Sequence, residues 1–239
     1  MPPGKESRVS KRRETNRLPT RQKHPIYLVE DHPVTREGLA RLIDFEPDLH
    51  VCGQAGCAVR ALAGIPGVKP HLVVVDISLD GTSGIELIKD IVARHPALPI
   101  LVLSTHDELV YAERALRAGA KGYVMKHAST GEVMKAIRKV LRGGVYLSER
   151  MQSRLVGLVA GGGPNASRPS LERLSDRELE VFGLIGQGWS MSGIASALHL
   201  ALSTVGTYRA QIKDKLGLRS PGELMRCAVE WVQHRDSRP

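Results

Sequence analysis

Acidic side chains follow two of the apolar runs in this sequence. Leu72-Val73-Val74-Val75 is followed by Asp76, and Ile26-Tyr27-Leu28-Val29 is followed by Glu30 and Asp31. Carboxylates that are crowded together repel one another unless a cation neutralises them, and Mg²⁺ prefers oxygen ligands of this kind. A carboxylate can also act as a nucleophile and form an aspartyl-phosphate. These acids therefore indicate a Mg²⁺ site at which Asp76 could accept a phosphoryl group.

Two further apolar runs end in polar residues of complementary chemistry. Residues 100–103 lead into Ser104, and residues 122–125 lead into Lys126. The carboxyl ends of parallel strands meet at one edge of an open α/β sheet, so this hydroxyl and this ammonium would join the three acids. Lys126 could screen the phosphoryl oxygens, and Ser104 could bond to the new group. Singly, each residue is more simply explained as a turn or surface residue; only the combination indicates a site.

The elements that would position these residues alternate along the chain. Five strands alternating with five helices are typical of a doubly wound parallel sheet, and beyond residue 170 the patterns are helical only. We therefore expect an α/β domain followed by a small all-α domain. The strands are predicted near 25–30, 50–55, 71–76, 99–104 and 121–125, and the helices near 34–46, 57–65, 84–95, 107–118 and 129–142, with a short helix at 148–159.

Composition divides the chain into four segments. The net charge is +9, and residues 1–24 contain eight Lys/Arg but only two Glu. We expect a disordered basic tail at 1–24, an α/β domain at 25–147, a linker at 148–170 and a helical domain at 171–239. The tail could strengthen non-specific attraction to DNA or be a dispensable extension. Because the tail dominates the charge, the high pI does not show that a folded domain binds nucleic acid.

The sequence predicts a cytoplasmic protein without a membrane partner. No apolar run approaches the roughly 20 residues that span a bilayer, and the basic N-terminus lacks the apolar region of a signal peptide. The three cysteines form no CxxC pair, and an odd number argues against a disulfide framework.

The C-terminal segment has the pattern of a helix-turn-helix. Ser175 and Glu178 form a capping-box pattern, and the turn at 199–202 between the second and third helices is short. In the third helix, Val205 and Ile212 share an apolar face, and small or polar residues lie opposite. Four helices are predicted, between Ser175 and Gly188, at 191–198, from Ser203 to Gly217, and from Ser220 onward.

The polar face of the third helix could enter a major groove. Side chains at the edges of such a face meet phosphates, and side chains at its centre meet bases. A plain four-helix bundle with a solvated face explains the periodicity equally well. If the face does bind DNA, the expected phosphate contacts are Lys213 and Lys215, and the expected base contacts are Thr207, Ala210 and Gln211.

Residues 25–142 resemble the receiver domain of a two-component response regulator, which has a flavodoxin-like fold. The residues that carry the resemblance are Glu30-Asp31, Asp76, Gly84-Ile85-Glu86-Leu87, Ser104, Gly119-Ala120-Lys121-Gly122-Tyr123 and Lys126. It implies that Asp76 accepts a phosphoryl group from a sensor histidine kinase and that Lys126 contacts this group. It also implies a Mg²⁺ site made by Glu30, Asp31, Asp76 and the backbone carbonyl of Ser78. Ser104 and Tyr123 are implied to be a switch pair.

The C-terminal segment is similar to LuxR-type helix-turn-helix domains. The matching motifs are Leu174-Ser175-Asp176-Arg177-Glu178-Leu179-Glu180-Val181, Gly188, Ile194-Ala195, Leu198, Ser203-Thr204-Val205, Thr207-Tyr208-Arg209 and Lys215-Leu216-Gly217. A receiver followed by this module is characteristic of the NarL/FixJ family of response regulators. The DNA contacts that we expect on this basis are Ser203, Thr204, Thr207, Arg209, Ala210, Gln211 and Lys213.

The resemblance implies a transcription factor activated by phosphorylation, and not an enzyme. We expect Ser104 to move toward the phosphoryl group and vacate space for Tyr123, and the recognition helix to be released from the receiver. Phosphorylation should then promote a homodimer through the helix that Ser220-Pro221 opens. Such a dimer would bind an inverted-repeat promoter site in double-stranded DNA, with RNA polymerase as a candidate partner.

Two other functions compete with this hypothesis. One is a phosphohydrolase of the haloacid dehalogenase type, which would place an acid/base Asp two residues after the nucleophile; here Ser78 occupies that position. The other is a regulator whose DNA binding ignores phosphorylation. The complete set of acids, hydroxyl and lysine argues against the second alternative without excluding it.

Overall fold

A five-stranded parallel sheet lies at the centre of the first domain, in a computed structural model that describes residues 23–79, 82–159 and 171–236. The strands are β1 His24–Val29, β2 Leu49–Ala55, β3 Leu72–Val75, β6 Ile100–Ser104 and β7 Gly122–Met125. Their order in the sheet is β2-β1-β3-β6-β7, which confirms the predicted doubly wound fold. The order reverses between β1 and β3, so the crevice at their carboxyl ends is where such folds bind ligands.

A short antiparallel hairpin follows β3, and the sequence did not predict it. It consists of β4 (Ser78–Leu79) and β5 (Thr82–Ser83), with two residues in each strand. Strands this short carry no periodicity that a sequence pattern could reveal. The hairpin places Ser78 opposite Ser83, immediately before the next helix begins.

Helices cover both faces of the sheet. α1 (Pro33–Phe45) and α5 (Thr130–Leu141) pack against one face. The other face is covered by α2 (Ala58–Val68), α3 (Gly84–Arg94) and α4 (Glu108–Ala118). α2 extends three residues beyond its predicted end, because Pro66 is accommodated in its last turn. The alternation of core residues along β1 explains the two faces, since Ile26 and Leu28 point to the first and Tyr27 and Val29 to the second.

The C-terminal part is helical, as predicted. α6 (Glu149–Val159) follows α5, and a 3₁₀ turn at Leu171–Arg173 precedes the four helices of the second domain. The third of these begins at Leu202 and has Ala201 at its N-cap, which provides no side-chain hydrogen bond. The four helices are α7 Asp176–Gly186, α8 Met191–Ala197, α9 Leu202–Lys215 and α10 Pro221–Asp236.

Some predictions concern segments outside the described residues. The predicted tail, apart from Lys23 and His24, and residues 160–170 of the predicted linker belong to this group. Among the helices that are described, none combines the length and apolar character needed to cross a membrane.

Candidate functional site

Asp76 lies at the carboxyl end of β3, and only 3% of its surface is exposed. Its Oδ2 accepts a hydrogen bond from Lys126 Nζ at 2.7 Å, whereas its buried Oδ1 has no hydrogen-bond partner among the described residues. Burial raises the pKa of Asp76 to about 6; Lys126 opposes this shift, and Glu30 adds to it. Buried polar atoms are normally paired, so an unpaired carboxylate oxygen marks a position where a ligand can bind.

Lys126 joins two acids that come from different strands. Its Nζ lies 2.6 Å from Glu30 Oε2 and 2.7 Å from Asp76 Oδ2, and both carboxylates are almost fully buried. Burial disfavours the charge on Lys126, but Asp76 and Glu30 outweigh this effect and raise its pKa. The structure thus brings Glu30, Asp76 and Lys126 together at the sheet edge where the sequence predicted them.

Glu30 and Asp31 form a tight group with His32, which was not among the predicted site residues. The carboxylate oxygens of both and a ring nitrogen of His32 all lie within 4.8 Å of one another. His32 Nδ1 is 2.7 Å from Asp31 Oδ1 and 3.4 Å from Glu30 Oε1. Adjacency in the chain was the only available signal for His32.

The backbone around Asp76 depends on a close approach by Gly84. The Gly84 amide donates a hydrogen bond to the Ile77 carbonyl at 2.7 Å. A Cβ atom on Gly84 would lie 2.0 Å from the Asp76 carbonyl oxygen, far inside any real contact distance. The start of α3 therefore packs directly on the backbone that carries the acceptor, and it does so because this residue has no side chain.

The two predicted switch residues are both buried beside the site. Ser104 Oγ accepts a hydrogen bond from the His106 amide at 3.1 Å, and the Tyr123 hydroxyl donates to the His106 carbonyl at 2.6 Å. The Tyr123 ring is buried, with 1% exposed, and the His106 carbonyl satisfies its hydroxyl. The movement of Tyr123 into space vacated by Ser104 stays a prediction.

His106 also contacts Ser78, a contact that the sequence did not predict. Ser78 Oγ and His106 Nε2 are 2.7 Å apart. The Ser78 backbone amide faces the Asp76 carboxylate, whose pKa it lowers. We predicted a role only for the Ser78 carbonyl. The available signal was that each residue lies two positions beyond a predicted site residue, Ser78 beyond Asp76 and His106 beyond Ser104.

The candidate DNA-binding face of α9 points to solvent. Ser203, Thr207, Ala210 and Gln211 are exposed, and Thr204, Arg209 and Lys213 are half-buried. Val205 and Ile212 are fully buried on the opposite side, as the periodicity predicted. Lys215 is not a free edge residue, because its Nζ donates to Glu178 Oε2 on α7 at 2.6 Å. The expected phosphate contact of Lys215 stays a prediction, and this salt bridge would compete with it.

A polar contact joins the two domains. Arg114 on α4 donates to Asp176 Oδ1 at 2.9 Å and to the carbonyls of Leu174 and Leu171 at 2.9 and 2.8 Å. Lys89 on α3 lies 3.5 Å from Asp176 Oδ2. This contact uses the start of α7 and leaves the outer face of α9 exposed. The receiver therefore holds the helical domain at the start of α7 and does not cover the outer face of α9, and release of the recognition helix on phosphorylation stays a prediction.

Comparison with known proteins matches both domains. Residues 26–138 match the response regulator receiver domain, and residues 172–228 match the bacterial regulatory proteins of the luxR family. The oxygen regulatory protein NreC of Staphylococcus carnosus is 32% identical over 86% of this chain and 96% of its own length. The DNA-binding transcriptional activator DevR/DosR of Mycobacterium tuberculosis is 33% identical over 88% of this chain and 96% of its own.

A solved structure is also similar to part of this chain. The LuxR-family two-component response regulator from Aurantimonas sp. SI85-9A1 is 33% identical and has a TM-score of 0.55. The match covers 58% of this chain and 99% of that one.

Proposed function

Because this chain belongs to the NarL/FixJ family of two-component response regulators, we propose that it regulates transcription by binding promoter DNA under the control of phosphorylation at Asp76. The observation that carries the proposal is the Asp76 carboxylate itself. It is buried beside Lys126, and its Oδ1 has no partner among the described residues. In this reaction an Asp76 oxygen attacks phosphorus, the donor's leaving group departs, and Lys126 stays next to the new negative charge.

The residues around Asp76 fit a bound Mg²⁺. Glu30, Asp31 and Asp76 offer oxygen ligands, and the unpaired Asp76 Oδ1 is a buried acceptor that a cation would satisfy. We infer that these carboxylates and the Ser78 carbonyl would hold the ion. When bound, it would neutralise charge on the phosphoryl oxygens. Lys126 contacts two of the three acids but carries only one positive charge, so the ionised set retains net negative charge until a cation binds.

We infer that the signal passes to the second domain through α4. Ser104 is joined to the His106 amide, and Asp107 caps α4 by accepting from the Leu109 amide at 2.8 Å. A phosphoryl group that draws Ser104 would shift this loop and the start of α4. Arg114 is on the same helix and holds Asp176 of the second domain. Movement of α4 would therefore loosen the contact between the domains.

DNA binding is assigned to α9, with α10 as the dimer contact. The outer face of α9 is polar and open, and Lys213 lies at its edge. The dimer contact is placed on α10 because the resemblance to LuxR-type domains implies dimerisation through this helix. The proposal includes a sensor histidine kinase, an inverted-repeat promoter site, RNA polymerase as a further partner, and a cytoplasmic location.

Incubation of the full chain with acetyl phosphate and Mg²⁺ tests the phosphoacceptor. Intact-mass measurement should show one added phosphoryl group on the wild type and none on Asp76→Ala. Chelation of the metal should abolish the labelling. Undiminished labelling of Asp76→Ala would overturn the assignment of Asp76.

The exposed α9 face supports a second candidate, a regulator that binds DNA without phosphorylation. Genome-wide mapping of bound sites for wild type and Asp76→Ala separates the two functions. Loss of most sites in the variant supports phosphorylation control. An unchanged map supports phosphate-independent binding.

A further inference from the structure

The backbone of Glu30 and Asp31 lies between the end of a strand and the start of a helix. β1 ends at Val29, and the Glu30 amide still donates to the Ala55 carbonyl of the neighbouring strand at 3.0 Å. α1 begins at Pro33, which has no amide hydrogen to donate. Backbone carbonyls in a folded protein are normally hydrogen-bonded, so those of Glu30 and Asp31 need a donor from elsewhere.

Arg36, one turn into α1, provides that donor. Its Nη1 donates to the Glu30 carbonyl at 2.6 Å and to the Asp31 carbonyl at 3.3 Å. The side chain is half-buried. One guanidinium nitrogen therefore holds both peptide groups of the acidic pair, and its partners are backbone oxygens rather than the carboxylates themselves.

The guanidinium of Arg36 is enclosed from the opposite side by Gly56. Gly56 directly follows β2, the strand that pairs with β1. A Cβ atom on Gly56 would lie 3.2 Å from Arg36 Nη1, closer than an ordinary van der Waals contact. The position of the guanidinium is therefore defined both by α1 and by the loop after β2.

The orientation of these peptide groups sets the direction of the two acidic side chains. Glu30 Oε2 lies 2.6 Å from Lys126 Nζ, and the Glu30 and Asp31 carboxylates belong to one group within 4.8 Å. Mg²⁺ requires near-ideal octahedral geometry, so a small rotation of this backbone would move oxygen ligands out of range.

We propose that Arg36 is a positioning residue for the metal site: by holding the carbonyls of Glu30 and Asp31, it fixes their carboxylates where Mg²⁺ can bind. This role rests on the proposed function, because it concerns the ion needed for phosphorylation of Asp76. Arg36 contacts neither the ion nor the phosphoryl group. Its effect is on the affinity for the ion and not on the transfer step.

The charge of Arg36 and its positioning role predict opposite effects on metal binding. A guanidinium near the site repels a cation, so loss of its charge alone would strengthen the binding of Mg²⁺. Loss of the two backbone hydrogen bonds would weaken it, because the carboxylates are no longer pre-arranged. The direction of the change therefore separates the two roles.

The experiment uses the full chain and four variants. Arg36→Met removes the donor and the charge but keeps an apolar stem, whereas Arg36→Lys keeps a charged nitrogen donor. Gly56→Val presses on the guanidinium from the other side. Arg41→Met is the matched control, because Arg41 is an exposed residue of the same helix.

Two readouts are compared for each protein. Electron paramagnetic resonance of Mn²⁺, which takes the same oxygen ligands, measures metal affinity directly and without a phosphodonor. Labelling by acetyl phosphate at increasing Mg²⁺ concentration, followed by intact mass, gives the half-saturating Mg²⁺ concentration and the rate at saturation.

Arg36→Met should raise the Kd for Mn²⁺ and the half-saturating Mg²⁺ concentration about three- to tenfold, the range that one hydrogen bond contributes. Its labelling rate at saturating Mg²⁺ should equal that of wild type. Gly56→Val should shift both values in the same direction, Arg36→Lys should recover most of the affinity, and Arg41→Met should match wild type.

Unchanged or tighter metal binding by Arg36→Met overturns the positioning role. A labelling rate that saturating Mg²⁺ does not restore also overturns it, since that result indicates general damage to the fold. In both cases a wild type that is labelled normally leaves the proposed function intact. A wild type that binds no Mn²⁺ and takes no label overturns the proposed function, and the role of Arg36 with it.

Discussion

Arg114 and Asp176 form a salt bridge across the domain boundary, with 2.9 Å between Nη1 and Oδ1. Asp176 is buried, and the same guanidinium also donates to the backbone carbonyls of Leu171 and Leu174. One side chain of the receiver domain thus holds a charged group and two carbonyls at the start of the helical domain. The relative placement of the domains depends on a residue of α4, the helix that begins just beyond Ser104 and His106.

Arg114→Ala should free the helical domain without any phosphodonor. Removing Arg114 leaves the buried Asp176 with Lys89, at 3.5 Å, as its ion-pair partner among the described residues, which we expect to weaken docking by about 1–3 kcal/mol. Small-angle scattering should show a larger radius of gyration. DNA affinity should rise toward the value of the phosphorylated wild type because freed helical domains could pair through α10, since the outer face of α9 is already exposed.

Arg117→Ala is the matched control for this change. Arg117 lies on the same helix, is largely exposed and pairs with Glu113 one turn away. It should leave scattering and DNA affinity unchanged. Equal behaviour of the two variants would show that the Arg114 contact does not govern DNA binding.

Stability should depend on pH through Glu180. Burial raises the pKa of Glu180 to about 7, and the nearby Asp176 adds to this shift. Arg177, whose Nη1 lies 2.6 Å from the carboxylate, opposes it. Ser83 of the receiver domain also faces the Glu180 carboxylate. The pKa in the unfolded chain is about 4.3. Between these two pH values the folded protein binds a proton that the unfolded chain has released. The stabilisation that Glu180 protonation adds to the free energy of unfolding is therefore fully present below about pH 4.3 and is lost as the pH rises to about 7.

Replacement of the carboxyl by an amide tests this pH dependence. Glu180→Gln cannot ionise, so its free energy of unfolding relative to wild type should increase from pH 5 to pH 8, by on the order of 1–3 kcal/mol. Urea unfolding at a series of pH values measures the difference. A difference that stays constant with pH would mean that Glu180 does not titrate in this range.

Gly84→Ala should damage the site through the backbone. The new Cβ would collide with the Asp76 carbonyl, so α3 or the acceptor loop must shift, at a cost of about 1–3 kcal/mol in unfolding free energy. Labelling by acetyl phosphate should fall together with the melting temperature.

Gly38→Ala is the matched control. Gly38 lies in α1, and a Cβ atom there would meet open space, so this substitution should stabilise the protein by about 0.5–1 kcal/mol. Equal effects of the two substitutions would contradict the close approach at Gly84.

Two lysines of α9 should behave differently in DNA titrations. Lys213→Ala should reduce the salt slope of binding by about one unit, since it would remove one phosphate contact at the edge of the reading face. Lys215→Ala should leave the slope unchanged and lower stability by about 1 kcal/mol, because Lys215 is bonded to the buried Glu178. A reduced salt slope for Lys215→Ala would show that Lys215 leaves Glu178 to bind DNA.

Thr207→Ala should alter the preference of the protein at particular base pairs, because side chains that contact bases specify the sequence.

The amino-acid sequence by itself determined the sheet and the residues delivered to its edge. Apolar runs such as Leu72–Val75 are too short and too buried to be anything but inner strands once amphipathic helices separate them. The residue that directly follows a parallel strand lies at the carboxyl edge of the sheet. Asp76 and Lys126 could therefore be assigned to the same edge from the sequence alone. The buried face of α9 followed in the same way from its period, with Val205 and Ile212 on one side.

Only the tertiary structure decided which polar groups meet across long stretches of chain. Arg114 and Asp176 are separated by 62 positions and Ser78 and His106 by 28, and no local pattern encodes either pairing. The same holds for two other side chains. Lys215 bonds to Glu178 and Tyr123 bonds to the His106 carbonyl because the packing of separate elements brings these acceptors close. Local period fixes the face on which a side chain lies, whereas its partner is set by how separate elements pack, and that is a property of the whole fold.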